Sequence, residues 1–491
     1  MTITKTKKKI TFDVGWVFAG SIVVLLLHFF QNPVMARYLG PDGLGLFSMA
    51  VMLAGVIELI AAFGVDGALT KYVAEYKEQE SKIYSLVSSA LITILIIGVT
   101  TSLALFVFSN TIANIFNMPY LSLLLRIYAL VFPFSLAHGI IISFFIGLRE
   151  MRYYAFIRIL RASLALAFIL ALLMIGLGVE GAMLGTVFAI IVTAVVAMVI
   201  MKRFLHFTFL DYKKNTKMLA SFGSRLVGAS MINEIYSYTD ILMIGFFLTS
   251  TEVGYYTVAI SLSRFFWLVP RAMATVAYPA ISEYWAKDNH QAINKLVDKA
   301  TKYSACILIF AGMSVIFFAK DIINFLFTPE FLPAVLPLTI LIIGTVTSGT
   351  LRSIGGIFAS VGKPDLLLKI SAIGAVGDII LNIALIPTYG IVGAATATTA
   401  AYVLNVVITI YFLRKALSIK LDAFWYIKMA MLIGISVTLF HALSSLNYYL
   451  STTIGLLLYS VVVIKYLLTK EDRTYFVSIA KHVMHGDFMK Q

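Results

Sequence analysis

Apolar residues fill this chain in blocks of roughly 20–30, divided by short polar segments, and the blocks lack the narrow apolar stripe of a surface helix. A helix of about 20 mainly apolar residues crosses the roughly 30 Å hydrocarbon layer of a membrane. Fourteen blocks meet that criterion, near 12–35, 44–67, 83–109, 119–147, 153–177, 179–201, 218–248, 252–279, 296–319, 331–360, 366–387, 391–413, 424–446 and 448–468. The pattern therefore predicts an all-α polytopic membrane protein. One stretch shows how its hairpins are made. In LNIALIPTYGIVGAATATTAAYVLN (381–405) the run stops at Pro387, which cannot continue the helical ladder, and Gly390 permits a tight turn. It resumes with Gly393, Ala397 and Ala401 on one face, a spacing of small side chains that lets membrane helices approach closely.

Composition agrees with lipid as the solvent. Of 491 residues 60% are hydrophobic and only 13% charged, against about a quarter charged in a soluble protein. The net charge of +14 would suit nucleic acid, so its placement decides. With the N-terminus inside, the inner segments hold 30 of the 38 Lys and Arg, and the outer loops hold only Arg37 and Lys320. Six more fall within spans: Arg126, Arg225, Arg264, Arg271, Arg352 and Lys465. This bias puts both termini in the cytoplasm, sets the basic charge against the inner leaflet of the cell membrane, and removes nucleic acid as a partner. The basic start MTITKTKKKI, followed by a long apolar block without a small-residue cleavage pattern, reads as an uncleaved first span. The single Cys306 excludes an internal disulfide and argues against a metal cluster; no cofactor is expected.

The chain also carries a faint repeat. GVEGAMLGTV (178–187) aligns with GIVGAATATT (390–399) at a separation of 212 residues, pairing Gly178 with Gly390, Gly181 with Gly393 and Thr186 with Thr398. LGPDGLGLFSMA (39–50) aligns with LTSTEVGYYTVA (248–259) at 209, pairing Gly45 with Gly254, and Glu75-Tyr76 aligns with Glu283-Tyr284 at 208. Six spans fit one offset, so both halves enter the membrane in the same sense, as two lobes related by an axis along the membrane normal. The expected organisation is a six-helix lobe at 1–205, a second at 206–417, two further spans at 418–470 and a cytoplasmic tail at 471–491.

The ARYLGPDGLGLFSMA and LNIALIPTYGIVGAATATTAAYVLN segments resemble the polysaccharide-biosynthesis exporters. These are the oligosaccharide-lipid flippases of the multidrug/oligosaccharidyl-lipid/polysaccharide exporter superfamily, related to peptidoglycan lipid flippases and multidrug and toxin extruders. The resemblance spans essentially the whole chain. It implies alternating access, in which two lobes enclose a cavity that opens inward and then outward. It further implies a polyprenyl-diphosphate-linked oligosaccharide as cargo, with membrane lipids and the pathway's glycosyltransferases or polymerase as partners. The motifs that carry it are packing and turn motifs, so they assign no cavity residue.

Candidate residues follow from physics. An ionisable side chain at mid-membrane costs at least roughly 2.5–3.5 kcal/mol, so it faces a cavity or a partner. Arginine offers a permanent charge and a fork matched to phosphate oxygens, which makes Arg264, Arg271, Arg126 and Arg352 candidates for substrate binding. Each has the plainer reading of pairing with an acid or snorkelling to the interface. The acids Glu58, Asp378, Asp240 and Asp66 are candidates for binding a proton or Na⁺, or for neutralising those arginines. His28 and His138 are either titrating groups or structural hydrogen-bonding ones.

Three functions compete. The first is a lipid-linked oligosaccharide flippase, driven by gradients because no nucleotide site exists. GIFASVGKP (356–364) departs from a phosphate-binding loop by one residue of spacing and by Pro364 in place of Ser or Thr. The second is an ion-coupled multidrug or small-molecule antiporter on the same fold. The third, a membrane glycosyltransferase, would need paired acids in long outer loops, whereas Asp42, Glu180, Glu252, Asp321 and Glu330 stand apart in short ones. The expectation is a transporter and not an enzyme, and basic residues in the spans favour an anionic cargo.

Overall fold

The computed structural model describes residues 3–208, 210–444 and 447–474, without the side chains of 3–12, 14, 226–237 and 444. The expected tail therefore lies outside the described residues beyond 474. Among the described residues the regular structure is helical, with no strand. In chain order the helices are α1 (Ile3–Ala62), α2 (Val65–Glu75), α3 (Glu80–Ile115), α4 (Leu121–Ala129), α5 (Phe132–Leu148), α6 (Met151–Met174), α7 (Gly178–Met201) and α8 (Tyr212–Phe247). Then follow α9 (Ser250–Ser263), α10 (Leu268–Ala286), α11 (His290–Phe317), α12 (Ala319–Leu326), α13 (Val335–Arg352), α14 (Ile357–Ser360), α15 (Pro364–Leu417), α16 (Ala423–Ser444) and α17 (Tyr448–Val462). A 3₁₀ turn, Arg264–Trp267, joins α9 to α10.

The 60 residues of α1 would reach about 90 Å if straight, three times the hydrocarbon thickness. They do not run straight. Gly40 sits at φ 65°, where a Cβ would be strained, and breaks α1 into two arms. Gly390, at φ 59°, breaks α15 the same way, at the turn expected from Pro387-Thr-Tyr-Gly. Among the described residues nine helices are long and apolar enough to cross a membrane, or ten if the bent pair α4–α5 counts as one span. The exact count of fourteen is thus not confirmed. The broken helices α1 and α15 each count once, and the blocks expected at 218–248 and 252–279 are too polar or too interrupted. Where the side chains of α8 are described again, Tyr238–Phe247 is a shorter apolar stretch, and the 3₁₀ turn divides the next block.

The chain forms two compact units, each built from separate segments. The first comprises Met1–Leu262, Ile323–Leu341 and Ser371–Ala401. One of its cores joins α2, α3, α5 and the end of α7 through Leu69, Leu86, Ile140, Phe144 and Met201, all fully buried. The second comprises Ser263–Ile322, Ile342–Ile370 and Tyr402–Gln491. It holds one core around Ile281, Val297, Phe358 and Leu413 and another around Phe317, Trp425, Met429 and Tyr459.

The repeat is visible in the backbone. Gly178 and Gly390 both adopt left-handed φ, 53° and 59°. Gly181 and Gly393 each admit a carbonyl of the preceding helix, from Leu172 and Leu385. The helix ends at Arg149 and Gly362 close with the same pair of hydrogen bonds, Glu150 N to Phe145 O with Arg149 N to Ile146 O, and Lys363 N to Phe358 O with Gly362 N to Ala359 O. The Gly45 and Gly254 pair is the most telling. A Cβ on Gly45 would overlap the Ser250 carbonyl, and one on Gly254 would overlap the Pro41 carbonyl. Pro41 and Ser250 are themselves repeat equivalents, so the contact is reciprocal, as a two-fold relation between halves requires.

Candidate functional site

Two polar clusters lie inside the first unit. The first is a carboxylate pair. Asp240 on α8 and Asp378 on α15 are both almost fully buried. Asp378 and Asn382 share a helix face by four-residue spacing, and the turn at Gly390 folds the second arm of α15 back so that Thr398 joins them. All the donors converge on one acid. Asp240 Oδ2 accepts from Tyr256 Oη at 2.8 Å and Thr398 Oγ1 at 2.7 Å, and its Oδ1 accepts from Asn382 Nδ2 at 3.1 Å. Asp378 lies beside both Asp240 and Asn382, but neither of its buried oxygens makes a well-formed hydrogen bond, and Asn382 Oδ1 makes none either.

That arrangement has a chemical consequence. Two buried carboxylates in contact cannot both stay ionised without a proton between them or a cation beside them. The free oxygens, two on Asp378 and one on Asn382, are hard ligands of the kind a small cation takes. Among the described residues no group of three or more His, Cys, Asp and Glu forms a metal site. The cluster therefore suits a proton or a monovalent cation better than a transition metal.

The second cluster surrounds Glu58. Its carboxylate, on the second arm of α1, lies near Ser135 of α5 and in the field of Arg161 of α6. The same guanidinium acts on His28 of α1, Tyr128 of α4 and His138 of α5, and Arg158 also acts on His28. Arg158 Nη1 donates to Tyr154 Oη at 2.8 Å. Arg161 is half-buried and, among the described residues, makes no hydrogen bond and no ion pair within 4 Å. His138 is 6% exposed, and its Nε2 is buried without a partner. With one acid against two half-buried arginines, the cluster carries a surplus of positive charge within the first unit.

The residues expected from sequence distribute unevenly between these places. Glu58, Asp240 and Asp378 enter the clusters, whereas Asp66 is exposed in the first turn of α2. Arg126 donates from Nε to Ser109 Oγ at 2.9 Å and lies over the Phe106 ring, held by α3. Arg264, Arg271 and Arg352 belong to the second unit and are exposed there; Arg352 stacks on Trp267 at 4.4 Å. Arg158 and Arg161 were missed by the charge tally, which counts them with the inner segments. Both stand inside α6, and their position past residue 153 within the expected span was the signal that could have found them.

Comparison with known proteins supplies independent findings. Residues 10–285, more than half of the chain, match the family described as polysaccharide biosynthesis protein, and residues 226–384 match the MatE family. A similar protein in Haloferax volcanii is described as the probable low-salt glycan biosynthesis flippase Agl15. It is 26% identical over 394 residues, 80% of this chain and 81% of that one. Among solved structures, the lipid II flippase MurJ in an inward closed conformation is similar with a TM-score of 0.75, at 17% identity, over 91% of this chain and 97% of that one. An inward-facing multidrug resistance MATE transporter is similar with a TM-score of 0.62, at 15% identity, over 80% and 94%.

Proposed function

Because this chain belongs to the polysaccharide biosynthesis protein family, we propose that it carries a polyprenyl-diphosphate-linked oligosaccharide from the cytoplasmic to the outer leaflet by alternating access. The family and the likeness to Agl15 support a multi-pass membrane transporter of the lipid-linked glycan flippase kind. Arg161 supports the diphosphate-linked cargo. A diphosphate crossing hydrocarbon needs a cationic partner, because an unpaired anion there is prohibitively costly. Arg161 offers an unengaged guanidinium, and His138 Nε2 and Glu58 stand near it for sugar hydroxyls. Arg264, Arg271 and Arg352 remain candidates for contacts made by the second lobe, and Arg126 is the weakest of the four because α3 holds it.

In this reading Asp240 and Asp378 form the coupling site. A proton or Na⁺ entering between Asp378 and Asn382 neutralises the pair, and its release down a gradient changes how α8 packs against α15. The halves 1–205 and 206–417 act as the two lobes, which meet where Gly45 crosses Gly254. Both termini face the cytoplasm, where glycosyltransferases of the same pathway deliver the cargo.

An ion-coupled drug antiporter is the second reading, favoured by the MATE likeness and by the acid pair. The net positive charge around Arg161 opposes it, since cationic drugs need acids in their site. Purified protein in proteoliposomes separates the two. Translocation of a fluorescent polyprenyl-diphosphate oligosaccharide, with no uptake of a cationic dye, is the expected result; the reverse pattern overturns the flippase reading.

A further inference from the structure

The second unit contains a cavity of about 560 Å³ between α11, α13, the second arm of α15 and α16. Its walls are mostly aliphatic, with Ile309, Met313, Val346, Val406 and Ile433 among them. Two of its few polar side chains are spent locally, because Thr347 and Thr350 donate to the Ile343 and Val346 carbonyls of their own helix. The lining runs from Ala305 to Ile316 on α11 and from Ala423 to Ile433 on α16, or about 15–17 Å at 1.5 Å per residue. That is half of the roughly 30 Å hydrocarbon core.

One end of the slot lies at the connection between α15 and α16, which supplies Arg414, Leu421 and Ala423 to its lining. The connection also carries Lys415 and Lys420, the density of basic charge found at headgroup level. Arg414 is exposed and, among the described residues, makes no hydrogen bond and no ion pair. Asp422, the acid nearest in sequence, is already held by Lys302 at 3.1 Å.

We propose that this slot holds one chain of an anionic phospholipid, with the lipid phosphate on Arg414. A dry hollow of this size would forfeit packing along its whole wall, and an apolar wall does not retain water. At roughly 30 Å³ for each water-sized group, 560 Å³ takes on the order of 20 carbons, the size of a single lipid chain. The polyprenyl chain of a cargo needs several times that space. The seated chain ties α16 to α11 and α13, so the lipid stabilises the second unit independently of transport.

The test is thermal unfolding of the full chain in dodecyl maltoside, titrated with dioleoylphosphatidylglycerol or with dioleoylphosphatidylcholine of identical chains. The glycerol lipid, at about ten times its Kd, is expected to raise Tm by about 1–2 °C, and the choline lipid by less than half of that. Arg414→Gln, at an exposed position, abolishes the difference between the lipids, and Ala430→Phe, which fills the slot from its open edge, abolishes both shifts. Equal shifts in the unaltered protein, or an undiminished preference in Arg414→Gln, overturn the proposal. Displacement of the glycerol lipid by undecaprenyl diphosphate also overturns it, by making the slot a cargo site.

Discussion

Where the second repeat carries Asp240, the first carries Gln31 at the 209-residue offset, and where it carries Asp378 and Asn382, the first carries Leu166 and Leu170 at 212. Thr398 has Thr186 as its counterpart, but Thr186 bonds only its own helix at Ala182, whereas Thr398 also reaches Asp240. The asymmetry runs the other way around Glu58 and Arg161, whose equivalents are Trp267 and Ile373. The halves therefore share a frame and divide the chemistry. Turns and glycine crossings recur because two copies of one hairpin scheme need them. The charged groups of the two clusters do not recur, so each half presents a different chemistry on the same frame. The first repeat keeps a positive surplus suited to phosphate, and the second keeps a negative pair suited to a proton or Na⁺.

The largest effect that sharpens this contrast is expected at Arg161. Arg161→Ala removes a charged partner worth roughly 2–5 kcal/mol when desolvated. Flipping of a polyprenyl-diphosphate sugar in proteoliposomes should fall on the order of a hundredfold, with partial recovery in Arg161→Lys. Asp378→Asn comes next. It keeps the size of the side chain and removes the second carboxylate, so transport should fall about tenfold and lose its dependence on an imposed pH or Na⁺ gradient. Retained gradient dependence would make the acid pair structural.

A smaller effect concerns the shared frame. Asp42 and Ser250 are hydrogen-bonded beside the Gly45–Gly254 crossing, and Cys306 is the only cysteine in the chain. The double variant Asp42→Cys/Ser250→Cys should cross-link on mild oxidation in the state described above, stop transport, and regain it on reduction. Failure to cross-link would show that the crossing is not formed in the membrane.

The smallest effect lies outside the spans, at Asp472. Burial alone would raise its carboxyl, but hydrogen bonds from Thr469 and Tyr303, with Lys299 at 3.4 Å, hold it at about 2. A carboxyl held below its unfolded value of roughly 3.9 stabilises the fold above that pH, and the contribution is lost as pH falls toward 2. Asp472→Asn should lower Tm by about 2–4 °C at pH 7 and leave flipping nearly unchanged. Acidification to pH 3 should narrow the gap between the two proteins.

Much of the frame was legible in the sequence. Pro387 and Gly390 announced the turn in α15, the small-residue stripe announced the approach of Gly393 to Leu385, and the offset announced that Gly178 and Gly390 would match. The acids were legible as intramembrane charges. Their contact was not, because Asp240 and Asn382 are 142 residues apart and hydropathy carries no pairing information. Arg161 escaped for a different reason. A window that treats residues near a span end as loop hides a charge standing ten residues inside α6. The exact span count is not confirmed where polar groups interrupt the apolar blocks: α8 holds Asp240, and the 3₁₀ turn after α9 begins with Arg264.

Binding measured apart from transport tests the division of labour most directly. Purified protein in detergent would be titrated calorimetrically with a polyprenyl-diphosphate oligosaccharide, comparing Arg161→Ala with Asp378→Asn. The account predicts that Arg161→Ala weakens binding on the order of a hundredfold while Asp378→Asn leaves it within about twofold. Equal loss in both variants, or full affinity in Arg161→Ala, would contradict it.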